Sequence, residues 1–157
     1  MVHPILPVFD RHSEILILGS FPSVKSREAG FFYGHPQNRF WRLLAVLFDE
    51  TPPETIADKK ALLLRNHVAL WDVIRSCEID GSSDASIRNA VPNDLSVILD
   101  AAPVRRVFTN GGTADALYRR CCEKKTGLHA TCLPSTSPAN ARMNLDALCR
   151  AWQVILE

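Results

Sequence analysis

The sequence has no hydrophobic run long enough to cross a membrane. Its longest purely aliphatic stretch covers residues 15–18, whereas a bilayer needs roughly 20 apolar residues. The first nine residues lack a basic cluster and contain Pro4 and Pro7, so we expect no secretory leader. With 157 residues, of which 46% are hydrophobic and 22% charged, the composition excludes disordered and fibrous classes. It predicts one domain over residues 1–157, cytoplasmic and without membrane contact.

Metal-binding cysteine patterns are also absent. The five cysteines lie at positions 77, 121, 122, 132 and 149, with no C-x-x-C pair and no zinc-finger spacing to histidine. Structural zinc and iron–sulfur sites need such spacing. We therefore expect no metal site and no cofactor, and we interpret the cysteines as small buried residues of a protein in a reducing compartment.

The sequence has almost no excess of positive or negative side chains, since its net charge is only +1. Residues 1–48 carry five basic and three acidic side chains, residues 49–100 five basic and ten acidic, and residues 101–157 eight basic and four acidic. A nucleic-acid partner would therefore need a basic face built from the two ends of the chain. The alternative, which charge alone favours, is that these side chains form solvated helix faces.

Short apolar runs alternate with segments of helical periodicity. This pattern predicts a three-layer α/β/α sandwich around a four-stranded, mainly parallel sheet. The predicted strands cover residues 14–18, 67–74, 104–109 and 130–133. The predicted helices cover residues 39–48, 52–65, 93–101, 112–127 and 145–156, the second opening with a capping box over residues 51–54 and with proline in its first turn.

Small, polar and proline residues follow all four predicted strands. In an open parallel sheet, ligands bind beyond the carboxyl ends of the strands. We therefore expect a crevice rich in hydrogen-bonding groups, formed by residues 19–22, 71–72, 109–112 and 133–138.

The most unusual segment is FFYGHPQNRFW, residues 31–41. Three consecutive aromatic residues in a loop suit stacking on a planar base, although a local hydrophobic plug would use the same residues. Asn38 precedes an apolar helix, where asparagine is a preferred N-cap. From these residues alone, capping is favoured over catalysis.

Residues 33–41 resemble the aromatic-x-His-Pro-x-Asn-Arg-Phe-Trp run of mismatch-specific uracil-DNA glycosylases. The segments GSFP at 19–22 and LPSTSP at 133–138 are similar to motifs one and two of the wider superfamily. Together with WDV at 71–73, they most resemble the hypoxanthine-DNA glycosylase branch. The resemblance covers nearly the whole chain. It implies a monofunctional, monomeric DNA glycosylase that hydrolyses the N-glycosidic bond of a flipped, deaminated base in damaged DNA.

One departure from the mismatch-specific pattern bears on the substrate. Phe21 stands where those enzymes carry a water-positioning asparagine, and motif two lacks the histidine of the uracil-specific branch. In the hypoxanthine branch the catalytic asparagine is that of His-Pro-x-Asn, which corresponds to Asn38. The resemblance thus favours hypoxanthine over uracil. The alternatives are a uracil- or mismatch-specific glycosylase, a nucleosidase, and a non-catalytic nucleic-acid-binding domain.

Within this resemblance, Asn38 would hold the attacking water through its amide oxygen, and His35 would assist a proton transfer unless its His-Pro turn is purely structural. Asp72 would accept a hydrogen bond from hypoxanthine N1–H, or cap a loop. Tyr33 would stack on the base, and Asn110 would contact it unless it serves only the turn before Gly111. The other predicted base-binding residues are Ser20, Phe21 and Phe31. The predicted DNA contacts are Ser135, Thr136, Ser137 and Arg142.

Overall fold

Six β-strands and seven α-helices make up the computed structural model, which describes residues 1–157. The strands are β1 (Ile15–Gly19), β2 (Val68–Asp72), β3 (Ile74–Glu78), β4 (Arg88–Pro92), β5 (Arg106–Asn110) and β6 (Ala130–Leu133). The helices are α1 (Val24–Ala29), α2 (Phe40–Leu47), α3 (Ile56–Arg65), α4 (Ser96–Leu99), α5 (Gly112–Cys121), α6 (Glu123–Thr126) and α7 (Leu145–Trp152). Short 3₁₀ turns cover Asp84–Ser86 and Gln153–Leu156.

Four parallel strands form the central sheet in the order β2-β1-β5-β6. The aliphatic run at 15–18 forms β1 and is buried throughout, as expected for an inner strand covered on both faces. Helices flank the sheet, which confirms the predicted α/β/α fold. The chain leaves β1 first towards β2 and later towards β5, so the strand order reverses beside β1. Such a reversal is the point at which open α/β sheets bind ligands.

The predicted strand 67–74 is divided in the structure. After β2, the chain leaves the central sheet and β3 pairs antiparallel with β4, in a two-stranded sheet absent from the prediction. The apolar run ends at Ile74, and the exposed Arg75 and Glu78 follow it. The single long strand was therefore wrong, because the apolar segment spans two elements in different sheets.

The predicted capping box lies four residues too early. The hydroxyl of Thr55 accepts the N–H of Asp58 at 3.0 Å, and the Asp58 carboxylate accepts the N–H of Thr55 at 3.4 Å, so α3 begins at Ile56. Pro52 and Pro53 explain the delay, since a residue that precedes proline is disfavoured in helical conformation.

Three other predicted helices are also shorter than their apolar patterns suggest. The helix at 93–101 is reduced to α4, the helix at 112–127 breaks at Cys122 into α5 and α6, and the last helix tightens into a 3₁₀ turn after α7. The fully buried Trp152 donates from its indole N–H to the Pro134 carbonyl at 2.9 Å. This bond ties α7 to the loop after β6. None of the helices has the length and apolar character that crossing a bilayer requires.

Candidate active site

The carboxyl ends of the parallel strands open into a cleft of about 530 Å³, a size typical of small-molecule pockets. Its walls come from the ends of β1, β2 and β5, the loop after β6, the segment before α2, and residues 82–84. The structure brings nearly all the predicted site residues together here. Phe31 and Arg142 lie outside it.

Asn38 lines this cleft with its amide held in one orientation. Its Oδ1 accepts the backbone N–H of Phe40 at 3.0 Å and the hydroxyl of Thr136 at 2.9 Å. These two bonds fill both lone pairs of the oxygen and leave Nδ2, a pure donor, without a partner in the protein. The amide oxygen that was predicted to hold the attacking water therefore already accepts two hydrogen bonds within the protein. The group that Asn38 offers to a ligand is its N–H.

Thr136 connects Asn38 to the end of β5. It is fully buried, and its hydroxyl accepts from Asn110 Nδ2 at 3.0 Å while it donates to Asn38. The backbone N–H of Thr136 also donates to Asn110 Oδ1 at 3.0 Å. Thr136 was predicted to contact DNA, but in the folded protein it has neither exposed surface nor a free hydroxyl. Thr136 and Asn110 instead hold the Asn38 amide in place.

Arg39 secures the loop after β6 against the start of α2. Its guanidinium donates to the carbonyls of Ser137 at 2.8 Å, Asn140 at 3.0 Å and Met143, and its backbone N–H donates to the carbonyl of Thr136 at 3.1 Å. One side chain therefore fixes a whole loop of the site. Sequence reasoning assigned Arg39 no role, and its only signal was the position directly after Asn38.

Ser135 and Ser137 are half-buried in this loop. Their hydroxyl oxygens accept the backbone N–H groups of Ser137 and Ala139, each at 3.1 Å. The hydroxyl hydrogens remain available as donors to a phosphate. Arg142 is exposed beyond the loop and does not line the cleft, so its predicted DNA contact lies outside the pocket itself.

Asp72 lies at the cleft floor, where β1 makes room for it. Only 3% of the residue is exposed. A Cβ on Gly19 would overlap Asp72 Oδ1 and approach the Tyr33 hydroxyl to 2.9 Å. Glycine at position 19 is therefore required for the carboxylate to reach the end of β1. Asp72 caps no loop through its side chain, which is bonded instead to the imidazole of His3.

Tyr33 enters the cleft from a strained backbone. Its φ is +53°, in the left-handed region that residues other than glycine rarely adopt. The ring packs on Phe40 with centroids 4.1 Å apart and planes at 31°. The hydroxyl is buried without a hydrogen-bond partner, and burial together with the nearby Asp72 carboxylate raises the pKa of Tyr33 far above its usual value. Tyr33 thus stays neutral, and its ring is available to the cleft.

Asp84 is a second carboxylate at the cleft, and sequence reasoning missed it. Its Oδ1 accepts the hydroxyl of Ser20 at 2.8 Å. Desolvation raises the pKa of Asp84, the Ser20 hydrogen bond opposes this, and the Asp72 carboxylate raises the pKa further. The loop that carries Asp84 reads as an ordinary polar turn, so only tertiary structure reveals its place.

The remaining predicted residues divide by location. His35 and Phe21 line the cleft, and His35 Nδ1 accepts the backbone N–H of Gln37 at 3.0 Å. That bond belongs to the turn and uses Nδ1 as an acceptor, which leaves Nε2 as the donor of the ring. Phe31 is 4% exposed and stacks on Trp41 at 5.9 Å. Phe31 was predicted to contact the base, and in the structure it is part of the hydrophobic core, as the alternative of a local plug required.

A family model described as the uracil DNA glycosylase superfamily matches residues 6–156. The chain belongs to this superfamily. It is 34% identical over 137 residues to the hypoxanthine DNA glycosylase of Methanosarcina barkeri, covering 87% of this chain and 86% of that protein. It is 35% identical over 138 residues to the hypoxanthine DNA glycosylase of Methanosarcina acetivorans, covering 87% of both chains.

A solved structure has the same architecture as this chain. It is the solution NMR structure of a "putative uracil DNA glycosylase" from Methanosarcina acetivorans, with a TM-score of 0.81, 31% identity and full coverage of both chains. The resemblance of residues 33–41, 19–22 and 133–138 to the superfamily is therefore confirmed. All three segments meet at the cleft.

Proposed function

We propose that the protein is a DNA glycosylase that hydrolyses the N-glycosidic bond of a flipped hypoxanthine. A base must leave the helical stack to reach such a cleft, and a deaminated base in a weak pair is extruded at the lowest cost. The observation that carries the proposal is the pairing of an acceptor, Asp72, with a donor, Asn38 Nδ2, in one cleft. Relatives named hypoxanthine DNA glycosylase support it.

Base recognition follows from the chemistry of hypoxanthine, which presents an N1–H donor and acceptors at O6, N7 and N3. Asp72 accepts from N1–H. The backbone N–H of Phe21, which has no partner in the protein, donates to O6, and the adjacent Ser20 contributes to the same wall of the cleft. The ring of Tyr33 stacks on the base, on the face opposite Phe40.

Catalysis depends on charge separation, because the sugar becomes oxocarbenium-like while the leaving base becomes negative. A fixed donor stabilises this transition state where negative charge develops. Water adds to C1′ as the C1′–N bond breaks, its hydroxyl stays on the sugar, and its other proton passes to the departing base. The Nδ2–H of Asn38 donates a hydrogen bond to that base, and His35 Nε2–H is a second donor in the same segment. No lysine lines the cleft, which supports hydrolysis in preference to lyase chemistry.

DNA binding is assigned to the loop after β6 and to the basic ends of the chain. The hydroxyls of Ser135 and Ser137 donate to phosphates beside the flipped nucleotide. Arg142 is exposed just beyond them and contacts the duplex next to the vacated position. The protein acts on DNA as a monomer and without a cofactor.

Uracil is the second candidate substrate, because its N3–H would serve Asp72 as the hypoxanthine N1–H does. The test is a panel of duplexes that carry hypoxanthine, uracil, a thymine mismatch or xanthine, each treated with alkali after incubation to reveal abasic sites. We expect hypoxanthine to be released fastest. Faster release of uracil would overturn the substrate assignment, and an enzyme–DNA adduct trapped by borohydride would overturn the hydrolytic mechanism.

A further inference from the structure

The segment that precedes β1 carries a histidine into the site. Residues 1–8 run antiparallel to β3 and β2, with bridges from Val2 to Ser76 and from Val8 to Leu70. The N–H of His3 donates to the carbonyl of Arg75 at 2.6 Å. These bonds hold His3 beneath the cleft.

His3 makes the closest polar contact of Asp72. Its Nε2 lies 2.7 Å from Asp72 Oδ2, and the two side chains are only 2% and 5% exposed. The imidazole is also fixed from the other side, because the backbone N–H of Ile5 donates to His3 Nδ1 at 3.1 Å. Phe21 and Phe32 enclose the ring, with centroids 5.8 Å and 6.0 Å away.

These contacts determine which nitrogen carries the proton. Because His3 Nδ1 accepts from Ile5, it holds no hydrogen, and the proton of the ring sits on Nε2. His3 therefore donates to Asp72 Oδ2. This bond occupies Oδ2 and fixes the orientation of the carboxylate, with Oδ1 directed to the end of β1 beside Gly19 as the acceptor offered to a ligand.

We infer that His3 is a positioning residue that makes the site selective for bases with an N–H on their Watson–Crick edge. This inference rests on the proposed function. Hypoxanthine and uracil offer such an N–H to Asp72, whereas adenine offers a lone pair at N1 that the carboxylate repels. A site built around a buried hydrogen bond rejects an analogue without that bond by about 10⁴–10⁵-fold. His3 thereby contributes to the protection of undamaged adenine.

Four variants test the inference: His3→Leu, His3→Gln, Asp72→Asn and the double variant His3→Leu/Asp72→Asn. Single-turnover release of hypoxanthine and of adenine is measured on otherwise identical duplexes. Glutamine places an N–H near the position of Nε2, so His3→Gln should stay within a few-fold of wild type. We expect His3→Leu to slow hypoxanthine release by about 10–100-fold, because it removes one buried charge-assisted hydrogen bond. It should also lower the ratio of the hypoxanthine release rate to the adenine release rate.

The double variant separates positioning from structural support. If His3 acts through Asp72, the effect of His3→Leu should disappear in the Asp72→Asn background, since residues in one network are not additive. His129→Leu is the matched control: His129 is 95% exposed, pairs with Glu123 at 2.9 Å and lies outside the cleft. The inference would be overturned if the effects of His3→Leu and Asp72→Asn on the release rate were additive, or if His3→Leu left the ratio of hypoxanthine release to adenine release unchanged. If His3→Leu does not fold, His3→Asn replaces it, because its shorter amide does not reach Asp72.

Binding of the free bases distinguishes failure of this inference from failure of the proposed function. Wild type should bind free hypoxanthine more tightly than adenine, and His3→Leu should reduce that preference. If wild type excises nothing yet shows this His3-dependent preference, the glycosylase assignment is wrong and the role of His3 stands. If wild type excises hypoxanthine and all His3 variants match it in rate and base ratio, the role of His3 is wrong and the glycosylase assignment stands.

Discussion

Replacement of Asn38 separates the two roles of its amide. In Asn38→Ala, the N–H of Phe40 loses its acceptor and the buried hydroxyl of Thr136 loses its own. The lost hydrogen bond to the N–H of Phe40 costs about 1 kcal/mol, and the orphaned hydroxyl roughly another 1 kcal/mol. For a chain of this size, the two together lower Tm by about 4–8 °C. Loss of one preorganised donor to the transition state should also slow hypoxanthine release by about 10²–10³-fold.

Asn38→Asp removes the N–H donor of the side chain and keeps its acceptor oxygen. Its carboxylate keeps both accepted hydrogen bonds, and its charge suits a helix N-terminus, so Tm should equal or exceed that of wild type. In place of Nδ2 it presents a negative oxygen to the leaving base, where negative charge develops. We therefore expect a well-folded protein that excises hypoxanthine at least about 10²-fold more slowly than wild type.

Single-turnover excision and thermal melts on each variant decide between the roles. Asn144→Ala is the control, because Asn144 Oδ1 also accepts a backbone N–H at the start of a helix: Asn144 is the N-cap of α7 and accepts the N–H of Ala147 at 2.9 Å, away from the cleft. It should lose about 1 kcal/mol of stability and no activity. A fast Asn38→Asp enzyme would refute the donor role and restore a water-binding oxygen. An Asn38→Ala protein that melts lower yet keeps its rate would leave Asn38 only a structural role.

Three other predictions follow from the same geometry. Gly19→Ala should displace the Asp72 carboxylate and slow hypoxanthine release at least about tenfold. Gly112→Ala is the control and should not slow it, because its new Cβ would meet nothing within 4 Å; equal release rates in the two variants would contradict the close packing at Gly19. Asp84→Asn should raise Tm at neutral pH, because the raised pKa of Asp84 means that its ionised form destabilises the fold. That gain should vanish below the ordinary aspartate pKa, about 3.9, and a pH-independent gain would exclude ionisation as its cause. DNA affinity should fall steeply with salt despite the net charge of +1, and a flat plot of log affinity against log salt would refute the basic face.

The fold was largely predictable because its strands are short apolar runs that end in recognisable turns. β1 and β6 lie within a residue of their predicted bounds, since the apolar pattern and the element coincide there. The prediction of one strand at 67–74 was wrong because a continuous apolar run gives no sign that the chain leaves one sheet and enters another. The capping box was placed at the wrong position because the sequence offers two such motifs four residues apart, T-x-x-E from residue 51 and T-x-x-D from residue 55. Only the position of the prolines distinguishes them.

The site was predictable where a single segment carries it and not where separate segments meet. Asn38 and Tyr33 lie in one distinctive run, and Ser135 and Ser137 in another. His3 and Asp84 come from stretches with no local signal. Asp84 is held at the cleft by the Ser20 hydrogen bond, and His3 reaches Asp72 beneath the cleft only through the pairing of residues 1–8 with β3. The hydrogen bonds of Thr136 were not predictable for the same reason, because its partners Asn38 and Asn110 are remote in sequence.

Structural support and catalysis are not alternatives at Asn38, although the sequence presents capping and catalysis as such. The N-cap of α2 is Arg39, whose side chain makes no capping bond, and Asn38 supports the start of the helix through the N–H of Phe40. An amide that rotates freely would offer oxygen and nitrogen to a ligand in turn, and a preorganised site must present only one. The N–H of Phe40 removes this freedom, because it holds Oδ1 at the first residue of α2, and Thr136 fills the second lone pair. The bond to Phe40 thus determines that the N–H of Asn38 faces the cleft. A variant that weakens the start of α2 should therefore lose activity even when Asn38 itself is retained. Thr136→Val frees one lone pair of Oδ1 without removing the bond to Phe40, so it should slow single-turnover excision less than Asn38→Ala.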